Sequence, residues 1–240
     1  MNKNMKNKEG SNYQDLIKTI AILSMVIDHL GLYLFPECDS MRLIGRIAMP
    51  IFCFFAGYNF KGKPKNLILL YGVSLYIVTT ILFSEFLETN ILISIYLGQC
   101  YIFIFHDQLK RFFYSGYPHV IFAALLWHFT KDSIDYGSLS ISIMILGYIA
   151  KHDKNHFKLA SSISIILQIF HTIKIFNFPI YIVISIGIAQ YLIMILMDLN
   201  SRIYINLNIL SRNVLFIYFA HLIIIQLIWY YKNYGIFEVL

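Results

Sequence analysis

The chain has 240 residues, of which 58% are hydrophobic and only 13% charged, and its formal net charge is +6. Soluble domains contain about 45–50% apolar and about 25% charged residues, so this chain has too little polar surface to fold in water. A cytosolic enzyme, a disordered chain and a disulfide scaffold are therefore excluded. The basic residues fall between apolar segments, which is typical of membrane topology and does not indicate nucleic-acid binding. We expect a protein embedded in a lipid bilayer.

The apolar segments have the lengths of membrane helices. A hydrocarbon layer of about 30 Å is crossed by about 20 helical residues, or by fewer where neighbouring helices bury the segment. Runs such as YIVISIGIAQYLIMILM do not alternate as the strands of a membrane barrel do. We therefore predict an all-α polytopic bundle of about nine transmembrane helices, in which the fourth to sixth segments are short or tilted. The predicted spans are residues 15–35, 43–60, 66–86, 91–105, 117–130, 137–150, 158–175, 179–198 and 212–231.

The distribution of basic residues predicts the orientation. Cytoplasmic loops of membrane proteins are enriched in Lys and Arg. If the N-terminus is cytoplasmic, most of the 19 basic residues fall in cytoplasmic segments. This pattern predicts an odd number of spans, with the C-terminus outside. We expect a cytoplasmic basic tail over residues 1–14 and one transmembrane domain over residues 15–240.

Several ionisable side chains fall within the predicted spans, where they are costly and usually functional. Lys18 and His29 are 11 residues apart, which returns to within about 20° of the same helix face. A cation at the cytoplasmic end could then hold an anionic ligand while the imidazole performs acid–base chemistry. His221 has a similar depth in the last helix, which predicts a cavity shared with His29. The alternative is that Lys18 reaches the interface and both histidines only pack against neighbouring helices.

Asp28 has a predicted partner in the second helix. Arg42 and Arg46 enter that helix from the external side, one turn apart. An Asp28–Arg46 pair would join the first two helices where burying either charge alone is unfavourable. The pair would be either a structural bridge or a group that orients His29. No metal site is expected, and the other histidines are expected at the surface or the membrane interface: His106, His119, His128, His152, His156 and His171.

Two blocks in the first sixty residues carry a family resemblance. DLIKTIAILSMVIDHLGLYLF and IGRIAMPIFCFFAGYNF contain Asp-x-x-Lys-Thr, an Asp-His pair and Gly-Arg-x-x-x-Pro-x-Phe. In this respect the chain resembles the TraX family of conjugative pilin acetylases and, more distantly, other transmembrane acyltransferases. TNILIS at 89–94, DYG at 135–137 and YFAHL at 218–222 follow in the family's order. The resemblance implies an inner-membrane enzyme that transfers an acetyl group from acetyl-CoA to the N-terminal amine of pilin.

The resemblance and the intramembrane residues together predict a site. His29 is expected to be the general base, because an unperturbed imidazole titrates near neutral pH. His221 would polarise the thioester carbonyl or assist proton transfer, and Asp28 would hold Arg46 or tune His29. The residues expected to attract the phosphates of acetyl-CoA are Lys18, Lys61, Lys63 and Lys65. The residues expected near the acceptor are Arg46, Asn90 and Tyr136.

Other readings of the same residues remain open. An acetyl group carried on a histidine is an alternative chemical route. The same machinery could acetylate a hydroxyl of an envelope glycan. In a small proton-coupled transporter, Asp28, His29 and His221 would relay protons. A non-catalytic assembly or anchoring subunit is the fourth possibility, and it requires neither histidine.

Overall fold

The structure is a computed structural model that describes residues 11–83, 90–111, 113–130, 137–152, 157–176, 180–196, 202–203 and 207–235. Helices dominate it, which confirms the predicted all-α fold class. A two-residue antiparallel ladder of β1 (Ser11–Asn12) and β2 (Arg202–Ile203) joins the start of α1 to the segment before the last two helices. The helices are α1 (Tyr13–Tyr33), α2 (Asp39–Gly45), α3 (Ala48–Tyr58), α4 (Asn66–Phe83), α5 (Ile91–Ile104), α6 (His106–Arg111), α7 (Phe113–Thr130), α8 (Leu139–His152), α9 (Phe157–Phe176), α10 (Ile180–Ile195), α11 (Asn208–Arg212) and α12 (Val214–Tyr234).

Each predicted span contains a helix, with one break. The second predicted span, residues 43–60, is divided because α2 ends at Gly45 and α3 begins at Ala48. Within the described residues, four segments are long and apolar enough to cross a membrane: Tyr13–Tyr33, Asp39–Tyr58, Asn66–Phe83 and Val214–Tyr234. The chain is thus a helical membrane protein, while the number of about nine spans stays a prediction.

Helices α3 and α8 form the centre of the bundle. Gly57 of α3 lies against the backbone of Met144, and Gly147 of α8 lies against the backbone of Phe54. Small residues at such crossings allow membrane helices to pack closely. Residues Leu139–Ala150 of α8 are almost all buried, because other helices surround this one. The lipid-facing apolar side chains lie instead on outer helices, as at Ile81 of α4, which is 71% exposed.

Helices α1 and α12 lie side by side and run in the same direction. Near the start of both helices, the Ser211 hydroxyl donates to Asp15 Oδ1 at 2.6 Å. Near their ends, Gln226 Nε2 donates to the Tyr33 hydroxyl at 3.1 Å. This parallel course agrees with an odd number of crossings, in which the first and last spans share one direction. It also brings residues about 190 positions apart to equal depth.

The start of α1 is fixed by its own sequence and by its contact with α11. The Asn12 side chain accepts from the Asp15 amide, and the Asp15 carboxylate accepts from the Asn12 amide, which together form a capping box. The second carboxylate oxygen of Asp15 accepts from Ser211. Asp15 therefore both caps α1 and ties it to the segment that leads into α12.

Candidate active site

A cavity of about 770 Å³ lies between α1, α3, α5 and the start of α12. This volume is within the range of about 300–1,000 Å³ found for ligand pockets. Among the described residues that line it, one is acidic and six are basic. The acidic residue is Asp28, and the basic ones are Lys18, Arg42, Arg46, Lys61, Lys65 and Arg212. The cavity therefore has a strongly positive lining, which favours an anionic ligand.

The structure brings His29 and His221 into direct contact. His29 Nδ1 lies 2.6 Å from His221 Nε2, and the two rings lie side by side with centroids 4.9 Å apart and an interplanar angle of 18°. The Tyr218 ring stands edge-on to both imidazoles at 5.8 Å. His29 lines the cavity, whereas His221 lies behind it on α12. The two histidines thus meet as expected, whereas of the two only His29 is in the cavity lining, and their shared role in catalysis stays a prediction.

The hydrogen bonds of the pair determine where its protons lie. His221 Nδ1 is 2.6 Å from the Ile217 carbonyl oxygen, which can only accept, so this nitrogen is the donor. In a neutral His221 the Nε2 atom then carries no proton, and it accepts from His29 Nδ1–H. A neutral His29 is therefore left with Nε2 as its unprotonated nitrogen. This is the nitrogen that can take a proton from a substrate.

The ion pair of Asp28 differs from the predicted one. Arg42 Nη1 lies 2.9 Å from Asp28 Oδ1 and also donates to the Asp28 carbonyl at 3.0 Å. The ion pair is thus made by the arginine one turn before the predicted Arg46, whose charge also attracts the Asp28 carboxylate. Gly45 explains how the helices come so close, because a Cβ at this position would overlap the Asp28 side chain. Asp28 thus joins α1 to α2 beside His29.

Arg46 lies at the break between α2 and α3, on the wall of the cavity. It is only 5% exposed, so its position on the wall is fixed by its surroundings. The backbone carbonyl of Arg46 accepts from Gln190 Nε2 of α10 at 2.7 Å. The structure therefore agrees with placing Arg46 at a ligand-facing surface, and its role toward an acceptor stays a prediction.

The basic end of the cavity contains three of the four predicted lysines. Lys18 and Lys65 lie on the cavity wall with Lys61, while Lys63 is exposed and lies outside the lining. Lys18 Nζ is 5.5 Å from the centroid of the Phe55 ring, a contact that favours a cation. Sequence reasoning missed Arg212 as a member of this group. The sequence feature that could have indicated Arg212 is its position just before the last apolar segment, on the same predicted side of the membrane as Lys18.

Asn90, predicted on the acceptor side, is not among the described residues that line the cavity. The Asn90 side chain caps α5 by accepting from the Leu92 amide at 3.1 Å, and it donates to the Gly72 carbonyl at 2.8 Å. These bonds give Asn90 a structural role, since they tie α5 to α4. Tyr136 lies outside the described residues, so its predicted role remains a prediction.

One of the other histidines differs from the position expected for it. His171 is 3% exposed, and its ring lies 5.6 Å from the Trp127 ring, so the expectation of an interfacial His171 was wrong. The reason is that α9 packs against both α8 and α10. The half-buried His119 is 2.6 Å from the Tyr101 hydroxyl. Among the residues that the structure describes, His, Cys, Asp and Glu form no group suited to a metal ion.

The fold and the site together define a class: a polytopic helical membrane protein whose cavity combines a basic lining with a histidine pair. Comparison with known proteins makes this assignment specific. The TraX protein family model matches residues 13–229, nearly the whole chain, so the chain belongs to the TraX family. It is also 51% identical over 237 residues to an uncharacterized protein of Rickettsia prowazekii (strain Madrid E), covering 94% of this chain and 96% of that protein. No solved structure matches this chain.

Proposed function

We propose that this protein is a membrane-embedded acetyltransferase that moves an acetyl group from cytoplasmic acetyl-CoA to an acceptor on the outer face of the membrane. The acceptor that we favour is the N-terminal amine of a pilin subunit. The observation that carries the proposal is the 2.6 Å contact of His29 and His221 beside a cavity with a basic lining. Membership of the TraX family fits a role in pilin acetylation.

The donor end of the cavity suits a polyanion. Lys18, Lys61, Lys65 and Arg212 lie around it and would attract the phosphates of acetyl-CoA, each of which binds a cation by charge-assisted hydrogen bonds. Apolar side chains such as Met25 and Phe52 line the cavity between this end and His29. An uncharged thioester arm would pass these residues without leaving a buried charge unpaired.

The proton chemistry follows from the histidine pair. A protonated amine has no lone pair with which to attack a thioester, so His29 Nε2 removes a proton from it. The amine nitrogen then forms a bond to the acetyl carbon, the carbon–sulfur bond breaks, and the leaving sulfur takes a proton from the His29 imidazolium. The remaining proton is released to water. His29 thus acts first as a base and then as an acid.

The contacts of His221 favour one of its two predicted roles. Both of its ring nitrogens are engaged, Nδ1 by the Ile217 carbonyl and Nε2 by His29. A histidine held in this way orients His29 and stabilises the imidazolium, as the buried partner of a catalytic histidine does in other enzymes. It has no nitrogen left to polarise a thioester carbonyl. We therefore assign His221 to the support of proton transfer.

One observation favours a second acceptor class. A lining of six basic residues and one acidic residue repels an ammonium ion and admits a neutral hydroxyl more readily. An envelope-glycan hydroxyl would use the same base, because His29 Nε2 would take the hydroxyl proton. For a pilin amine, the same positive field would favour the neutral form of the amine, which is the nucleophilic one.

The decisive experiment uses purified protein in lipid nanodiscs with labelled acetyl-CoA. The acceptors are a pilin N-terminal peptide, the same peptide with a blocked amine, and an envelope glycan fraction. We expect label only on the free-amine peptide, with mass spectrometry locating the acetyl group on its first residue. Label on the glycan alone would support the hydroxyl acceptor. No thioester cleavage with any acceptor would refute an acetyltransferase and favour a transporter or assembly subunit.

A further inference from the structure

The break between α2 and α3 leaves one carbonyl without its helical donor. Arg46 (φ −62°, ψ −12°) and Ile47 (φ −65°, ψ −33°) both have near-helical backbone angles, so the chain passes the break almost as a helix. In a helix, the carbonyl of Arg46 would accept from the amide four residues later. That residue is Pro50, which has no N–H. The sequence therefore frees the Arg46 carbonyl at a position where Arg46 is 5% exposed.

Gln190 of α10 satisfies this carbonyl. Its Nε2 donates to the Arg46 oxygen at 2.7 Å, across 144 positions of the chain. Gln190 is 1% exposed, and its neighbours Val183 and Gly187 are small and apolar. Without Gln190, a buried carbonyl would lose its partner, which is costly in any interior and more so in a membrane.

The bond holds Arg46 from the side opposite the cavity. Arg46 lines both the 770 Å³ cavity and a small pocket of about 10 Å³ between α2, α9 and α10, where Gln190 lies. Gln190 belongs to the small pocket and lies outside the lining of the large one. It can therefore act on a ligand only through Arg46.

We propose that Gln190 is a positioning residue. It donates to the Arg46 carbonyl, which Pro50 leaves without a helical donor, and so fixes the α2–α3 break and the Arg46 side chain on the cavity wall. This assigns a physical role to the proline of the Gly-Arg-x-x-x-Pro sequence. The role of Gln190 in fixing the break does not depend on the proposed function, whereas the effect of Gln190 on turnover rests on the proposed acetyl transfer. A simple helix-packing role for Gln190 makes a different prediction, because packing does not depend on Pro50.

The test is a rescue experiment that uses Gln190→Met, Pro50→Ala and the double variant. Methionine keeps the length of glutamine and removes the donor. Alanine at position 50 restores an amide that can bond the Arg46 carbonyl, since residues 46 and 47 are already near-helical. The reporter is a cysteine in place of Ala48, which lines the cavity, in a background where the native cysteines are removed. The rate at which a thiol reagent labels this cysteine reports the position of the break.

We expect Gln190→Met to change the labelling rate about tenfold, because the free energy of one buried hydrogen bond corresponds to about a factor of ten. We expect the added Pro50→Ala replacement to return the rate close to the parent value. The matched control is Gln168→Met, because Gln168 lines the same small pocket but donates to Thr172. It should leave labelling unchanged. If Gln190→Met prevents membrane insertion, recovery of insertion by Pro50→Ala supports the proposal equally.

The catalytic arm measures acetyl transfer by the same variants. We expect Gln190→Met to raise KM for the acceptor with a smaller change in kcat, and Pro50→Ala to reverse the rise. Unchanged labelling in Gln190→Met, or no rescue by Pro50→Ala, overturns the proposal. If the parent protein transfers no acetyl group at all, the proposed function fails, and the labelling arm alone still decides the role of Gln190.

Discussion

His29 and His221 have unequal roles in the proposed reaction, and this asymmetry can be measured. His29→Gln removes the nitrogen that takes the substrate proton, and a general base contributes about 10²- to 10⁴-fold to a rate. His221→Leu removes one hydrogen bond to a ring that becomes charged, which is worth about 1.5–3 kcal/mol. At about 1.4 kcal/mol for each factor of ten, that is a loss of about 10- to 150-fold. We therefore expect His29→Gln to lose more activity than His221→Leu.

A third variant separates orientation from proton relay. In His221→Gln the amide oxygen can still accept from His29 Nδ1–H, as His221 Nε2 does at 2.6 Å. If His221 orients His29, His221→Gln retains more activity than His221→Leu. If His221 must itself carry a proton, the two variants are equally impaired. Because both histidines act as a unit, the double variant His29→Gln/His221→Leu should be no worse than His29→Gln alone.

The assay is the initial rate of transfer from labelled acetyl-CoA to the acceptor, measured after each variant is shown to insert and to unfold at the parent temperature. His119→Gln is the matched control, since His119 is half-buried and bonded to Tyr101 away from the cavity. Activity of His29→Gln within tenfold of the parent, or losses in the double variant that multiply, would refute the assignment of His29 as the base.

Three further predictions test the surroundings of the pair. Asp28→Ala removes the carboxylate that pairs with Arg42 and should destabilise the protein by about 3–5 kcal/mol in thermal unfolding. The double replacement with Arg42→Leu should recover part of this loss, and additive losses would contradict a coupled pair. Gly45→Ala places a methyl group against Asp28 and should cost about 1–3 kcal/mol by the same measurement; unchanged stability would mean that the helices are further apart. Lys61→Gln should raise KM for acetyl-CoA by about two- to fivefold, as expected for about 1 kcal/mol at an exposed charge. Lys63→Gln should leave this KM unchanged, because Lys63 lies outside the cavity lining. Equal effects of the two variants would show that the donor does not bind in the cavity.

Membrane depth explains why the sequence predicted the histidine pair correctly. The bilayer fixes the axial position of each apolar helix, so residues at similar distances from the helix ends have similar depths. His29 and His221 met this condition, and burial of two polar side chains in a hydrophobic layer favours their contact. The same reasoning placed Lys18 at one end of α1 and the histidine at the other, and the cavity extends from Lys18 to His29.

Depth alone could not select between neighbouring residues on one helix. Arg42 and Arg46 are one turn apart, and the break between α2 and α3 decides that Arg42 reaches Asp28. Pro50 makes the cause of that break partly visible in the sequence. The residue that bonds the Arg46 carbonyl at the break, Gln190, is 144 positions from Arg46. Asn90 was chosen for its place in a family motif, and its side chain proved to cap α5. Local capping and long-range pairing thus account for the details that the sequence did not predict.

The arrangement of charge along α1 connects the fold to the proposed direction of transfer. Lys18 and His29 are separated by a rise of about 16 Å along the helix, half the thickness of the hydrocarbon layer. Basic residues surround the Lys18 end, and the only acidic residue in the described lining, Asp28, lies beside His29 and is bonded to Arg42. In the proposed reaction, an anionic donor is therefore attracted to one end of the cavity, and the proton transfer takes place at His29, in the middle of the membrane. Because His221 comes from α12, which runs parallel to α1, the base is complete only when the first and last helices are packed together. The proposed reaction centre thus depends on the packing of the first helix against the last.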